Sequence, residues 1–68
     1  MSEGFQQFVG EPIEIIYLEA DNRTVLRKID ILTAGDKCVF AYCFNRKELE
    51  LFRNQNILAV LPILKLNH

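Results

Sequence analysis

Three arginines and two tyrosines are the residues in this chain whose types suit binding chemistry. They are Arg27, Arg46 and Arg53, interleaved with Tyr17 and Tyr42. A guanidinium is a planar fork of N–H donors that can grip a phosphate or carboxylate with two parallel hydrogen bonds. An aromatic ring offers a face on which any nucleobase can stack. Brought together, they would capture an anionic ligand, the arginines supplying charge and the tyrosines stacking surfaces. Each also has a plainer reading. An arginine near a strand end can simply pair with a neighbouring carboxylate in solvent, as Arg53 could with Glu48 or Glu50. Phe40, Phe44 and Phe52 read first as core. Tyr17 and Tyr42 need partners for their hydroxyls, which places them at a rim.

Nothing else in the chain amounts to catalytic machinery. Glu48 and Glu50 stand two apart and share a strand face. No nucleophile or metal-ligand set accompanies them, so they read as a solvated face. Asn54, Gln55 and Asn56 could read a base edge; more often such a cluster satisfies the backbone of an irregular turn. His68 is the only histidine and the last residue. A Ser-His-Asp set, a Gly-rich phosphate loop and an H-E-x-x-H motif are all missing from the sequence. A protein that is not an enzyme is expected, with no cofactor and no metal.

Composition narrows the partners. The 68 residues allow one domain, 1–68, and half of them are apolar. So short a chain buries only about 60% of its unfolded surface, so disulfides, a metal or a partner subunit would be the usual supports. Cys38 and Cys43, if on one strand, lie about 16 Å apart on opposite faces, too far for a disulfide. Two reduced thiols point to a cytoplasmic setting. The net charge of −1 offers no general attraction to nucleic acid or to an anionic membrane. The opening residues have neither the basic region nor the apolar run of a secretory signal. The "ILAVLPILKL" stretch is half the length a membrane helix needs and reads as a buried strand.

The elements that must position these residues follow from alternation and turn chemistry. Residues 2–9 suit a short helix, capped by Ser2, with Phe5 and Phe8 on one face and Gly10 and Pro12 ending it. Strands are expected at approximately 12–20, 24–34, 37–44, 48–53 and 57–63. Ile13, Ile15 and Tyr17 share one face of the first. Asp21-Asn22 and Gly35-Asp36 mark turns. The segment 37–44, apolar on both faces, is expected to be the central, most buried strand. Asn45-Arg46-Lys47 suits a tight hairpin, with Asn45 tolerating positive φ. Pro62 cannot donate a ladder hydrogen bond and places its strand at an edge. Five short strands after a short helix predict a mainly β fold, a small Sm-like barrel whose last strand returns to the first.

The stretch "AYCFNRKELELFRNQNI" resembles the second half of the WYL domain, a bacterial module usually fused to a helix-turn-helix in transcription regulators. Ala41-Tyr42-Cys43, Arg46, Phe52-Arg53 and Ile57 match its pattern in order and spacing. Upstream, "IIYLEADNRTVLRKIDIL" resembles the family's opening, with Tyr17, Arg27, Ile29 and Leu32 in place. The likeness spans about residues 13–61. Lys37, Cys38 and Val39 stand where the family has Trp-Tyr-Leu. Glu50 replaces a basic residue, and Gln55-Asn56 replaces Asp-Arg. The resemblance implies a ligand-sensing small barrel for nucleic acid or a nucleotide, and a helix-turn-helix regulator or other protein as partner. The alternative is an adaptor or self-associating protein, a homodimer built on the apolar last strand.

Overall fold

The structure, a computed structural model, describes residues 4–63. Ser2 and His68 lie outside the described residues. Five strands form one antiparallel sheet: β1 (Pro12–Leu18), β2 (Thr24–Ala34), β3 (Cys38–Cys43), β4 (Glu48–Arg53) and β5 (Ile57–Pro62). Their order is β4-β3-β2-β1-β5. The last strand therefore pairs with the first, as expected. The sheet is not closed, however: β4 and β5 are its two edges, and the expected barrel lacks the ladder that would join them. A 3₁₀ turn, Asn54–Asn56, carries the chain from β4, and β5 begins its pairing with β1 at once, Ile57 opposite Tyr17.

The N-terminal helix is also corrected. Only a three-residue 3₁₀ turn forms, Gln6–Phe8. Gly4 and Gly10 flank it at φ values of 51° and 94°, where a right-handed helix cannot run. Eight residues could not carry a helix without help from packing. The turn still does what its two aromatics suggested: Phe5 and Phe8 pack against the core. Gly10 N–H donates to the Ile31 carbonyl at 3.4 Å, tying the segment to β2.

Alternation decides what is buried. Ile13 and Ile15 of β1, Ile29 and Ile31 of β2, Val39, Ala41 and Cys43 of β3, and Phe52 of β4 form one buried cluster on the inner face. Irregularities in register between Ile31 and Thr33, and between Ile16 and Tyr17, let the sheet curl over this cluster. The curl is tight enough for the Phe52 ring to meet the Tyr17 ring edge-on, centroids 5.1 Å apart. Both cysteines are free, Cys43 buried and Cys38 half-buried.

Two expectations for β3 fail. Its place is second from an edge, and β2 is the central strand. Its inner residues are buried, but Phe40 and Phe44 on the other face are 38% and 39% exposed, so neither is core. A one-layer sheet has only one side to bury, so a strand apolar on both faces leaves half its side chains outside. The hairpin after β3 spans Phe44–Lys47, and positive φ falls on Lys47, at 60°, rather than on Asn45. Asn45 instead anchors the hairpin: its Oδ1 accepts the Lys28 N–H at 2.8 Å.

Candidate functional site

The inner face changes character along β1 and β2. Ile13 faces Ile29, then Ile15 faces Arg27, then Tyr17 faces Val25. Strand alternation carries Tyr17 on to Glu19, the next inward position beyond the strand end. The β1–β2 loop is fixed there by two backbone bonds, Glu19 N–H to the Arg23 carbonyl at 2.8 Å and Asn22 N–H to the Glu19 carbonyl at 3.0 Å. Asn22 takes the left-handed conformation, φ 67°, which its short polar side chain tolerates. On β4 the same alternation sets Glu50 on the inward side with Phe52.

These positions gather four charges. Arg27 Nη2 lies 3.8 Å from Glu19 Oε2, and Arg46 Nη2 lies 4.0 Å from the same oxygen. Arg46 Nη1 donates to Glu50 Oε2 at 3.2 Å, four residues along the hairpin. Arg27 and Glu50 have side chains only 19% exposed, while Arg46 is 48% exposed. The carboxylates balance the two guanidinium charges, so the cluster is neutral as it stands. Lys28, next to Arg27, points the other way, as strand alternation requires.

A cleft of about 380 Å³ opens beside this cluster, lined by Tyr17, Glu19, Arg46, Glu50, Arg53 and Asn56 among others. Tyr17 forms part of its wall and is firmly held. Its hydroxyl accepts the Arg53 backbone N–H at 3.0 Å, so an amide of the edge strand β4 is satisfied by a side chain. Among the described residues Arg53 makes no ion pair. Arg53 also borders a broader hollow of about 560 Å³, shared with Asp36, Lys37, Asn54 and Gln55. That second hollow has no aromatic wall.

Of the five residues singled out for binding, Tyr17, Arg46 and Arg53 line one cleft, and Arg27 reaches the Glu19 that lines it. Tyr42 lies elsewhere. It sits on the outer face of β3, its ring edge-on to Phe44 at 5.2 Å. Sequence reasoning missed Glu19 altogether and took Glu50 for a solvated residue. The signal available was the alternation itself, which puts Glu19 in line with Tyr17 and Glu50 in line with Phe52.

Asn54 behaves as a turn residue. Its Nδ2 donates to the Gly35 and Asp36 carbonyls, both at 3.1 Å, and its N–H to the Lys37 carbonyl at 2.8 Å. It thereby clips the β2–β3 loop to the end of β4. Its Oδ1 is buried and has no partner among the described residues. Among the described residues no group of three or more His, Cys, Asp or Glu side chains could hold a metal ion. No helix there is long and apolar enough to cross a membrane. No family model, curated protein or solved structure matches the chain.

Proposed function

We propose that this chain is a non-enzymatic, ligand-sensing regulatory module like the WYL domains it resembles, built on an open, curled five-stranded sheet. It binds an anionic ligand, a nucleotide or a nucleic acid strand, in the cleft beside Tyr17. The observation that carries this reading is convergence. Arg46 and Arg53 line one cleft, Arg27 from another strand reaches the Glu19 that lines it, and an aromatic ring pinned in place forms its wall. Arg53, which makes no ion pair among the described residues, grips the phosphate. Arg46 and Arg27 add charge from the other side, and Tyr17 gives the base a surface. Tyr42 has no part in this cleft.

Filter-binding titrations with nucleoside monophosphates and with short single-stranded DNA and RNA test the reading. Binding should weaken with rising salt. Arg53→Ala should cost about 1.5–3 kcal/mol of binding, the range of a hydrogen bond to a charged group. Affinity that ignores salt, or that survives Arg53→Ala unchanged, would refute it.

A second reading, self-association, is favoured by the β5 edge. Leu58 and Leu61 on that strand are 53% and 42% exposed, and among the described residues one side of the strand has no neighbour. Two copies could pair β5 to β5 and cover these leucines. Sedimentation equilibrium checks it: a dimer broken by Leu61→Lys supports the reading, and a monomer at all loading concentrations removes it.

A further inference from the structure

The anion seat between Arg27 and Arg46 is already taken, by a carboxylate of the chain itself. Glu19 Oε2 lies 3.8 Å from one guanidinium and 4.0 Å from the other. Both distances are ion-pair contacts beyond hydrogen-bond range, and the Glu19 side chain accepts no hydrogen bond from either arginine. Its carboxylate holds the position a ligand oxyanion would need, without the short, directed bonds such an oxyanion could form. Arg46 is shared further, with Glu50 at 3.2 Å. The Glu19 backbone is fixed by its two loop hydrogen bonds, but its side chain is 29% exposed and can rotate away without disturbing the loop.

We infer that Glu19 is a built-in competitor for the phosphate, and that binding proceeds by exchange: the ligand's oxyanion replaces the Glu19 carboxylate between Arg27 and Arg46. The inference rests on the ligand-binding reading above and adds its regulation. In the free protein Glu19 neutralises the guanidiniums and keeps them in place beside the inner face. Anions with a single acceptor oxygen do not displace it. A phosphate does, because its several acceptor oxygens meet both forks at once with short, directed bonds. The released carboxylate then faces solvent, and the changed charge at the β1–β2 loop is what a partner protein would sense.

Four proteins test the exchange: the wild type, Glu19→Gln, Glu11→Gln and the double variant Glu19→Gln with Arg46→Gln. Each is titrated with a nucleoside monophosphate and, separately, with a single-stranded oligonucleotide, which distinguishes a free nucleotide from a strand as the source of the phosphate. Far-ultraviolet circular dichroism checks that each is folded. Glu11 is exposed near the N-terminal turn, so Glu11→Gln makes the same change in net charge far from the seat. The expected result is about tenfold tighter binding for Glu19→Gln, from the loss of two competing, partly exposed ion pairs. Glu11→Gln should bind like the wild type, and the double variant should lose the gain. If the wild type binds and loses affinity in Arg53→Ala, but Glu19→Gln binds no tighter than Glu11→Gln, the exchange is overturned and the cleft reading stands. If no variant binds either probe, the cleft reading itself falls.

Discussion

The two ends of the β1–β2 ladder share a face and a register, yet they are built from opposite materials. At one end Ile13 faces Ile29, Ile31 follows, and the N-terminal turn adds Phe5 and Phe8 over them. At the other end Arg27 and Glu19 continue the same two inward rows, joined by Arg46 and Glu50. The apolar end explains itself: it is what keeps a sheet of this size folded. The charged end does not. Partly buried ion pairs of this kind are often no better for stability than apolar side chains of the same size. Residues that the fold does not need, arranged around an open cleft, are where function is to be sought.

The sharpest way to break the comparison is to damage the apolar end. Ile29 is fully buried at the centre of the central strand. Ile29→Ala removes three carbons from a position that cannot collapse, at a cost of about 3 kcal/mol. That is a large part of the stability of a domain this small. Urea unfolding followed by circular dichroism should show a much lower midpoint, or a chain already unfolded without denaturant. A loss below about 1 kcal/mol would mean the inner cluster is not the support it is taken to be.

Tyr17 joins the two ends, and its effect should be intermediate. Tyr17→Phe keeps the ring against Phe52 and removes only the acceptor for the Arg53 N–H. The expected loss is about 1 kcal/mol, the net worth of one hydrogen bond. In a chain of this length that lowers the thermal midpoint by about 4–8 °C. An unchanged midpoint would show that water replaces the hydroxyl and that the sheet curls without this tie.

Much of this was legible in advance, and the exceptions have physical reasons. The second and fourth strands match their expected bounds to the residue, 24–34 and 48–53, because turn residues bracket both and the fourth alternates cleanly. The inward row Ile13, Ile15, Tyr17 followed from period two alone. Barrel closure did not follow, since pairing between strands is a non-local matter that no local pattern carries. On β4 two readings competed. Phe52 was expected in the core and Glu50, on the same face, in solvent. Because side chains alternate strictly, burying one brings the other inward. Arg46 resolves the conflict by pairing with Glu50 from the hairpin. That solution also creates the charged end. The convergence of the arginines was visible only as a hope, because it depends on how far the sheet curls.

The smallest effect on stability is expected at the charged end itself, and it is the one that decides whether the comparison holds. Arg27 is the inward neighbour of Ile29 on the same face of β2, two residues away. Arg27→Met keeps an unbranched chain of similar reach along Ile15 and removes the guanidinium. Glu19 is then left with Arg46, so no carboxylate becomes isolated. The unfolding free energy should change by less than about 1 kcal/mol in either direction. Binding of a phosphate-bearing probe, by contrast, should weaken by about tenfold, one charged contact's worth. Urea titration and filter binding on the same preparation give both numbers. If Arg27→Met unfolds as readily as Ile29→Ala, the charged end supports the fold as much as the apolar end does. Function would then have no special claim on it.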